Sequence, residues 1–389
     1  MNRRELIRLA SLFTATGSLP LLQACSERQV KAPDAPLRIG FLPITDATPL
    51  LVAHGLKLFE AEGVAVEKPV RFRSWAQLVE AFISGQVNLA HLLAPMTVWA
   101  RYGSQAPLKV LMWNHMAGSA LTVRPGIDSI AALNGKTVAI PFWYSIHNVV
   151  LQHLLRADGL SATDQESPGT GQVRLIVMAP SDMVAGLAGG TIDGFIVAEP
   201  FNAIAETKGL GKILRFTADV WRDHACCLTV AHESDVQQRP EWVQKVANAL
   251  VKAQRWILEH RTETAQLLSS EGAGEYTPHA PDALERVLAP DSAEWQRYAA
   301  SGVIRHPEWR EQRIDFQPYP FPSYTEKMVT MLKDTYVLGD NTFLKALDPG
   351  RVASELVDAR FVQKAIEVSG SQRVFHLPAD YTRQEVVLA

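Results

Sequence analysis

One stretch of this chain occurs twice, and that repetition limits the fold more than any other feature. Gln77–Gly103 reads QLVEAFISGQVNLAHLLAPMTVWARYG, and Asp182–Lys208 reads DMVAGLAGGTIDGFIVAEPFNAIAETK. At a constant offset of 105 residues, Val79/Val184, Gly85/Gly190, Pro95/Pro200 and Ala100/Ala205 are identical. Leu78/Met183, Val87/Ile192 and Asn88/Asp193 match in kind. Each copy predicts a short helix, a glycine that stops it, a buried strand, and a proline that opens a second helix. Two such copies predict two similar α/β lobes. Two facing lobes make a cleft, where a small ligand is held.

The pattern around the repeat agrees. Leu37–Leu42 is an apolar run of strand length, and Ala47–Glu62 reads as a helix stopped by Gly63. Val64–Val70 is the next expected strand. Ser74 is placed to cap a helix over Trp75–Ser84. Leu108–Trp113 and Ala120–Val123 read as strands that leave the first lobe. The order then recurs: a strand over Thr137–Pro141, a helix capped by Ser145, a strand over Val173–Met178, and a helix capped by Ser181 or Asp182. Ile213–Phe216 and Cys227–Ala231 are further strands. From Glu241 the spacing Val243, Val246, Leu250, Ala253, Ile257 is helical, and helices are expected over Tyr324–Lys333 and Val352–Ile366. Alternation of strands and helices predicts an α/β fold with a mostly parallel sheet in each lobe, followed by C-terminal helices. The expected division is lobe 1 over 37–122 with 228–368, lobe 2 over 123–227, and a loose tail over 369–389.

Ligands of open α/β sheets sit beyond the carboxyl ends of strands, where helix N-termini point. That rule selects Thr45 and Asp46, Trp75, and Met96 in the first lobe. In the second it selects Tyr144 and Ser145, then Asp182, then Glu199. Trp143 is a candidate wall beside Tyr144. His91 lies inside an expected strand and reads as a core histidine.

The N-terminus carries a different signal. Arg3, Arg4 and Arg8 precede a short, interrupted apolar run over Leu9–Leu22, too short to span a bilayer. This reads as a leader over 1–24, exported by the twin-arginine or the general route. Leu22-Gln23-Ala24-Cys25 resembles a lipoprotein processing site, with Cys25 lipidated and 25–36 serving as a tether. A net charge of −3 with 20% charged residues describes an ordinary soluble globule and gives no reason to expect nucleic acid. Beyond Cys25 the cysteines are Cys226 and Cys227. They show no zinc-site spacing and no disulfide framework, so neither metal nor cofactor is expected. No G-x-S-x-G, H-E-x-x-H or P-loop points to an enzyme.

The segments TDATPLLVAHGLKLFEAEGVAV, SWAQLVEAFISGQVNLAHLLAPM and MVAGLAGGTIDGFIVAEPFN resemble the solute-binding proteins of ABC importers for nitrate, bicarbonate and sulfonates, closest to the nitrate/bicarbonate branch. The resemblance covers about 37–260. It implies a type II-like periplasmic-binding-protein fold, a monomer, and delivery of a small anion or organic ligand to an importer permease and ATPase outside the inner membrane. It carries Trp75, Thr45, Asp46, Ser145, His147 and Glu199 over as ligand residues. Nitrate-type members carry a lysine in the segment that reads Trp221-Arg222-Asp223-His224-Ala225-Cys226-Cys227 here. Its absence removes a charged partner, so a larger organic ligand among Trp75, Trp143, Tyr144 and Trp221 is an alternative to nitrate or bicarbonate. A ligand sensor or pyrimidine-precursor binder of the same fold is the alternative function, and an enzyme on that fold a third.

If Cys25 is the anchor, Cys25→Ser is expected to abolish incorporation of labelled fatty acid. Unchanged labelling would exclude the anchor.

Overall fold

The computed structural model describes residues 35–309 and 312–389. The expected leader and Cys25, with most of the tether, lie outside the described residues. The chain opens with β1 (Ile39–Phe41), β2 (Val70–Arg71), β3 (Leu89–Leu93) and β4 (Leu108–Trp113). A two-residue β5 (Met116–Ala117) leads into β6 (Ser119–Val123), β7 (Thr137–Ile140), β8 (Ser161–Thr163), β9 (Gln172–Val177), β10 (Gly194–Ala198) and β11 (Lys212–Phe216). The chain then returns through β12 (Cys227–His232), and β13 (Ile314–Asp315) pairs with β5. The first sheet has the order β2-β1-β3-β12-β4 and the second β11-β6-β10-β7-β9-β8. The two-lobed α/β fold read from the sequence is the fold observed.

Apart from β8, the two sheets have one plan. β3 pairs in parallel with β1, with Ile39 beside Leu89. β10 pairs in parallel with β7, with Val138 beside Gly194. On its other side each repeat strand takes an antiparallel strand that has just come from the opposite sheet. Cys227 of β12 lies opposite Leu93, and Ser119 of β6 lies opposite Ala198. Leu93 and Ala198 are 105 residues apart, so the repeat seen in sequence is a repeat of register. The sequence-based boundary at 122/123 falls at the end of β6, a strand bonded wholly within the second sheet.

Local chemistry explains the helices that frame each repeat strand. Ser74 Oγ accepts from Gln77 N at 3.3 Å at the head of the helix Trp75–Ile83. Ser145 Oγ accepts from Asn148 N at 3.1 Å at the head of Ile146–Ala157. The helix Pro180–Ala188 differs from expectation. It starts at Pro180 with Ala179 as its uncapped flank, so Ser181 and Asp182 lie inside the first turn. Gly85 and Gly190 both take positive φ, 78° and 72°, which is why glycine ends both helices.

Four other expectations need correction. The helix expected over Ala47–Glu62 breaks at Lys57, whose φ is 56°, into Thr48–Gly55 and Leu58–Ala61. The strand expected over Val64–Val70 is reduced to a bridge between Leu37 and Val66 and the two exposed residues of β2, at a sheet edge. The helix expected over Val352–Ile366 is two helices, Pro349–Leu356 and Arg360–Val368. Between them Val357 bridges Val110, and Asp358 N donates to Val110 O at 2.8 Å, so the edge of β4 captures the backbone. The tail expected to be loose is packed. Phe375, Leu377 and Tyr381 are buried, Val387 bridges Trp221, and the Arg383 guanidinium lies over Trp113 and Phe321, 4.8 and 4.7 Å from the ring centroids. The helix Pro240–Glu259 buries Val243, Val246, Leu250, Ala253 and Ile257, the stripe read from the sequence.

A Cβ built on Gly85 meets nothing within 4 Å. Gly85→Ala therefore isolates backbone strain and is expected to lower stability by about 1–2 kcal/mol, measured by urea denaturation.

Candidate functional site

Two passages of chain cross between the sheets: residues 114–118, from β4 to β6, and residues 217–226, from β11 to β12. The loop after β1 meets the first passage through Asn114 and His115. Asp46 in the turn Thr45–Ala47, His115 in the first passage, Cys226 at the end of the second and Cys227 at the start of β12 are fully buried. One donor atom from each of these four residues lies within 4.8 Å of all the others.

The contacts among them are partial. The Cys227 thiol donates to Asp46 Oδ2 at 3.0 Å. His115 Nε2 is 3.1 Å from the same oxygen, an ion-pair distance, yet the direction is wrong for a hydrogen bond and Nε2 has no such partner. Asp46 Oδ1 has no hydrogen-bond partner either. Asn114 Nδ2 donates to the Asp46 carbonyl at 3.0 Å and ties the loop to the passage. His147, in the first turn after β7, places Nε2 2.9 Å from Ser119 Oγ and 3.8 Å from Cys226 Sγ, and its Nδ1 has no partner.

Electrostatics follow from burial and pairing. Burial pushes the Asp46 carboxyl up, but the charge of His115 with the contacts from His115 and Cys227 holds it below its ordinary value. Burial pushes the His115 imidazole down, and Asp46 reverses this and drives it up to about 10. Burial works against both thiolates. The neighbouring sulfur then lowers Cys226 and raises Cys227.

Thr45 and Glu199 meet where the loop after β1 touches the end of β10. Thr45 N and Oγ1 each donate to the Glu199 carbonyl at 3.1 Å. The Glu199 carboxylate is taken by Arg313 Nη1 at 2.8 Å and by Ala203 N at 3.1 Å. Arg313 Nη2 also meets Glu206 at 3.0 Å and Glu294 at 3.1 Å. Burial pushes Glu199 up, with Arg313 opposing it.

The other sequence candidates scatter. Trp75 is buried against the His91 ring at 5.4 Å, with Nε1 unpartnered, and Met96 is buried in the same core. His91 accepts from Leu42 N at 3.0 Å, as a core histidine should. Ser145 is spent on its cap. Tyr144 packs between Trp99 and Phe343, and its hydroxyl reaches the Asp340 carbonyl at 3.4 Å. Trp143 meets Tyr336 edge-on. Trp221 donates to Glu385 at 2.7 Å and packs on Tyr324. Asp182 pairs with Arg73 at 2.9 Å across the two sheets, both largely exposed at 45% and 71%, a contact of small worth.

Sequence reasoning missed His115 and Arg313. His115 stands two residues past β4, so the strand-end rule could have selected it. Arg313 lies far along the chain in a segment without a motif. The Ser119–His147 contact has the spacing of a nucleophile and its base, but His147 Nδ1 lacks the third group that would orient it.

Two α/β sheets of one plan, joined by two buried passages that carry polar groups, define a two-lobed binding-protein fold. Residues 30–269 match the NMT1-like family, and the chain belongs to that family. It is 25% identical over 295 residues to the nitrate/nitrite binding protein NrtA of Nostoc, covering 70% of this chain. The match spans 65% of that relative, under two thirds of its length. The periplasmic nitrate-binding protein NrtA of Synechocystis has a similar structure, with a TM-score of 0.68 at 19% identity over 90% of this chain and 91% of that one. So does the zinc-bound ligand-binding component of an ABC-type import system from Staphylococcus aureus, with a TM-score of 0.65 at 21% identity over 85% and 98%. No helix among the described residues is long and apolar enough to cross a membrane.

Arg313→Met strips the counter-charge from buried Glu199, while Glu294 keeps Arg286. It is expected to cost about 3–5 kcal/mol of stability, read from the urea midpoint at constant slope.

Proposed function

We propose that this chain is an extracytoplasmic solute-binding protein that delivers a small anion or small organic molecule to an ABC importer's permease and ATPase. It acts as a monomer, held at the outer face of the cell membrane by lipid on Cys25, and it is a binder rather than an enzyme. The observation that carries the reading is the buried junction itself: loops after β1 and β7 and both passages deliver polar side chains to one place between two sheets of the same plan. Binding proteins named for nitrate and for ABC import share this arrangement of sheets.

The two lobes, one on each sheet, open and close about the passages, and the Arg73–Asp182 pair closes the outer edge. Trp75 offers a ligand platform at the start of a capped helix, where backbone N–H groups favour negative charge. Cys226 and Cys227 stand where a nitrate binder would carry lysine, which favours ligands larger than nitrate.

Calorimetry against nitrate, bicarbonate, taurine, an aromatic carboxylate and a pyrimidine tests the reading. One of these is expected to bind and to compact the molecule in small-angle scattering. Trp75→Ala is expected to weaken that ligand by about 1–3 kcal/mol, by analogy with stacked aromatics. At 100 times its dissociation constant the ligand should add about 2.7 kcal/mol of stability. Wild-type affinity in Trp75→Ala would remove Trp75 from the site, and a radius of gyration unchanged at saturation would rule out closure.

A further inference from the structure

The anion-binding reading leaves the cluster of Asp46, His115, Cys226 and Cys227 without a role. We propose that these four side chains form a four-coordinate site for a zinc ion, buried where both passages meet the loop after β1.

The donor set argues for the metal. Two sulfurs, one imidazole nitrogen and one carboxylate oxygen make a tetrahedral zinc shell, whereas calcium and magnesium require oxygen donors. A tetrahedral ion with bonds of about 2.0–2.3 Å sets its donors roughly 3.3–3.8 Å apart. Here the four donors already lie within 4.8 Å of one another, so small side-chain rotations complete the shell. The backbone allows two adjacent cysteines to serve. Neighbours within a strand point to opposite faces, but Cys226 lies before β12, held by Ala94 N on its carbonyl at 2.9 Å. Both sulfurs lie within 4.8 Å of an Asp46 carboxylate oxygen and of His115.

The contacts inside the cluster do not exhaust its bonding capacity. Asp46 Oδ1 and His115 Nε2 are buried and without hydrogen-bond partners, which is rare for polar atoms inside proteins. The support around them is that of a ligand shell. His115 Nδ1 faces the Met116 carbonyl at 3.4 Å. A proton on Nδ1 leaves Nε2 as the ligand atom, the arrangement usual for metal-binding histidines. Asn114 steadies the Asp46 backbone and receives the Thr229 hydroxyl. His147 Nε2 lies 3.8 Å from Cys226 Sγ and acts on the site from outside the shell. Four protein donors leave no open position, so the ion is held as cargo or as a clasp on the passages and does not activate water.

The test uses the full-length chain carrying Cys25→Ser, in which Cys226 and Cys227 are the remaining thiols. The protein is stripped of metal and dialysed against zinc chloride or cobalt chloride. One ion per chain is expected, with a thiolate-to-cobalt charge-transfer band and an X-ray absorption shell of two sulfur and two nitrogen or oxygen neighbours. Cys227→Ser and His115→Gln are expected to weaken zinc by more than about 100-fold, and His147→Gln by about 10–100-fold as an outer partner. Where a variant fails to fold by circular dichroism, the wild-type absorption shell decides alone. Less than one bound ion, or a shell without sulfur, overturns the site. The anion panel is run on the same stripped and zinc-loaded samples. Zinc binding without any anion binding sinks the anion reading only, and the reverse result sinks only the metal site.

Discussion

Arg313 puts a full positive charge where water does not reach, and its pairing links both sheets to the C-terminal segment. Its guanidinium binds Glu199 at the end of β10 and, through its second nitrogen, Glu206 and Glu294. The Glu199 backbone in turn receives Thr45 from the loop after β1. One buried cation thus ties the second sheet, the first sheet and the C-terminal segment together. Its energetic role is conditional. Taking these charges out of water costs several kcal/mol each, and the network repays that cost only while every member is in place. Removing one member is therefore expected to cost more than the net worth of the pair.

The same pairing bears on what the junction can bind. The positive charge of Arg313 is offset by carboxylates, and that of His115 by Asp46. A small anion entering here would displace one of these partners before gaining a cation of its own. A thiophilic cation meets the opposite situation: a carboxylate, two thiols and a ring nitrogen already converge, and only protons need leave.

The architecture was legible in the sequence because it is repeated. A four-identity match placed β3 and β10, their preceding helices and the two stop glycines, since each depends on local rules: a cap, a positive φ, an apolar run. The helix stripe of Val243 to Ile257 was legible for the same reason. The misreadings arose where tertiary contact overrides local pattern. Val357 looks helical by spacing but is drawn to the edge of β4. The residues after 369 lack periodicity because they pack as single side chains onto Trp113, Trp221 and Phe321. The site was half legible. Strand-end logic found Asp46 and the resemblance supplied His147, but Ser145, Tyr144 and Trp221 are turned to other partners, and a metal set assembled from residues 46, 115, 226 and 227 has no spacing that a motif could capture.

The register of the two sheets explains why the chemistry gathers on the passages. Cys227 and Ser119 are equivalent positions, each the first residue of the antiparallel strand inserted beside a repeat strand. Each turns to a residue that follows the opening strand of its own sheet: Cys227 to Asp46 after β1, Ser119 to His147 after β7. The junction is therefore two versions of one contact set face to face, and Cys226 Sγ, 3.8 Å from His147 Nε2, joins them. The repeated units are held to their pattern by core packing. The passages between them are buried as well, with Trp221, Ala225 and Cys226 in the same core, so their side chains serve both the packing and the junction. The Cys226–Cys227 pair stands at that juncture, with Cys226 ending the second passage and Cys227 opening β12.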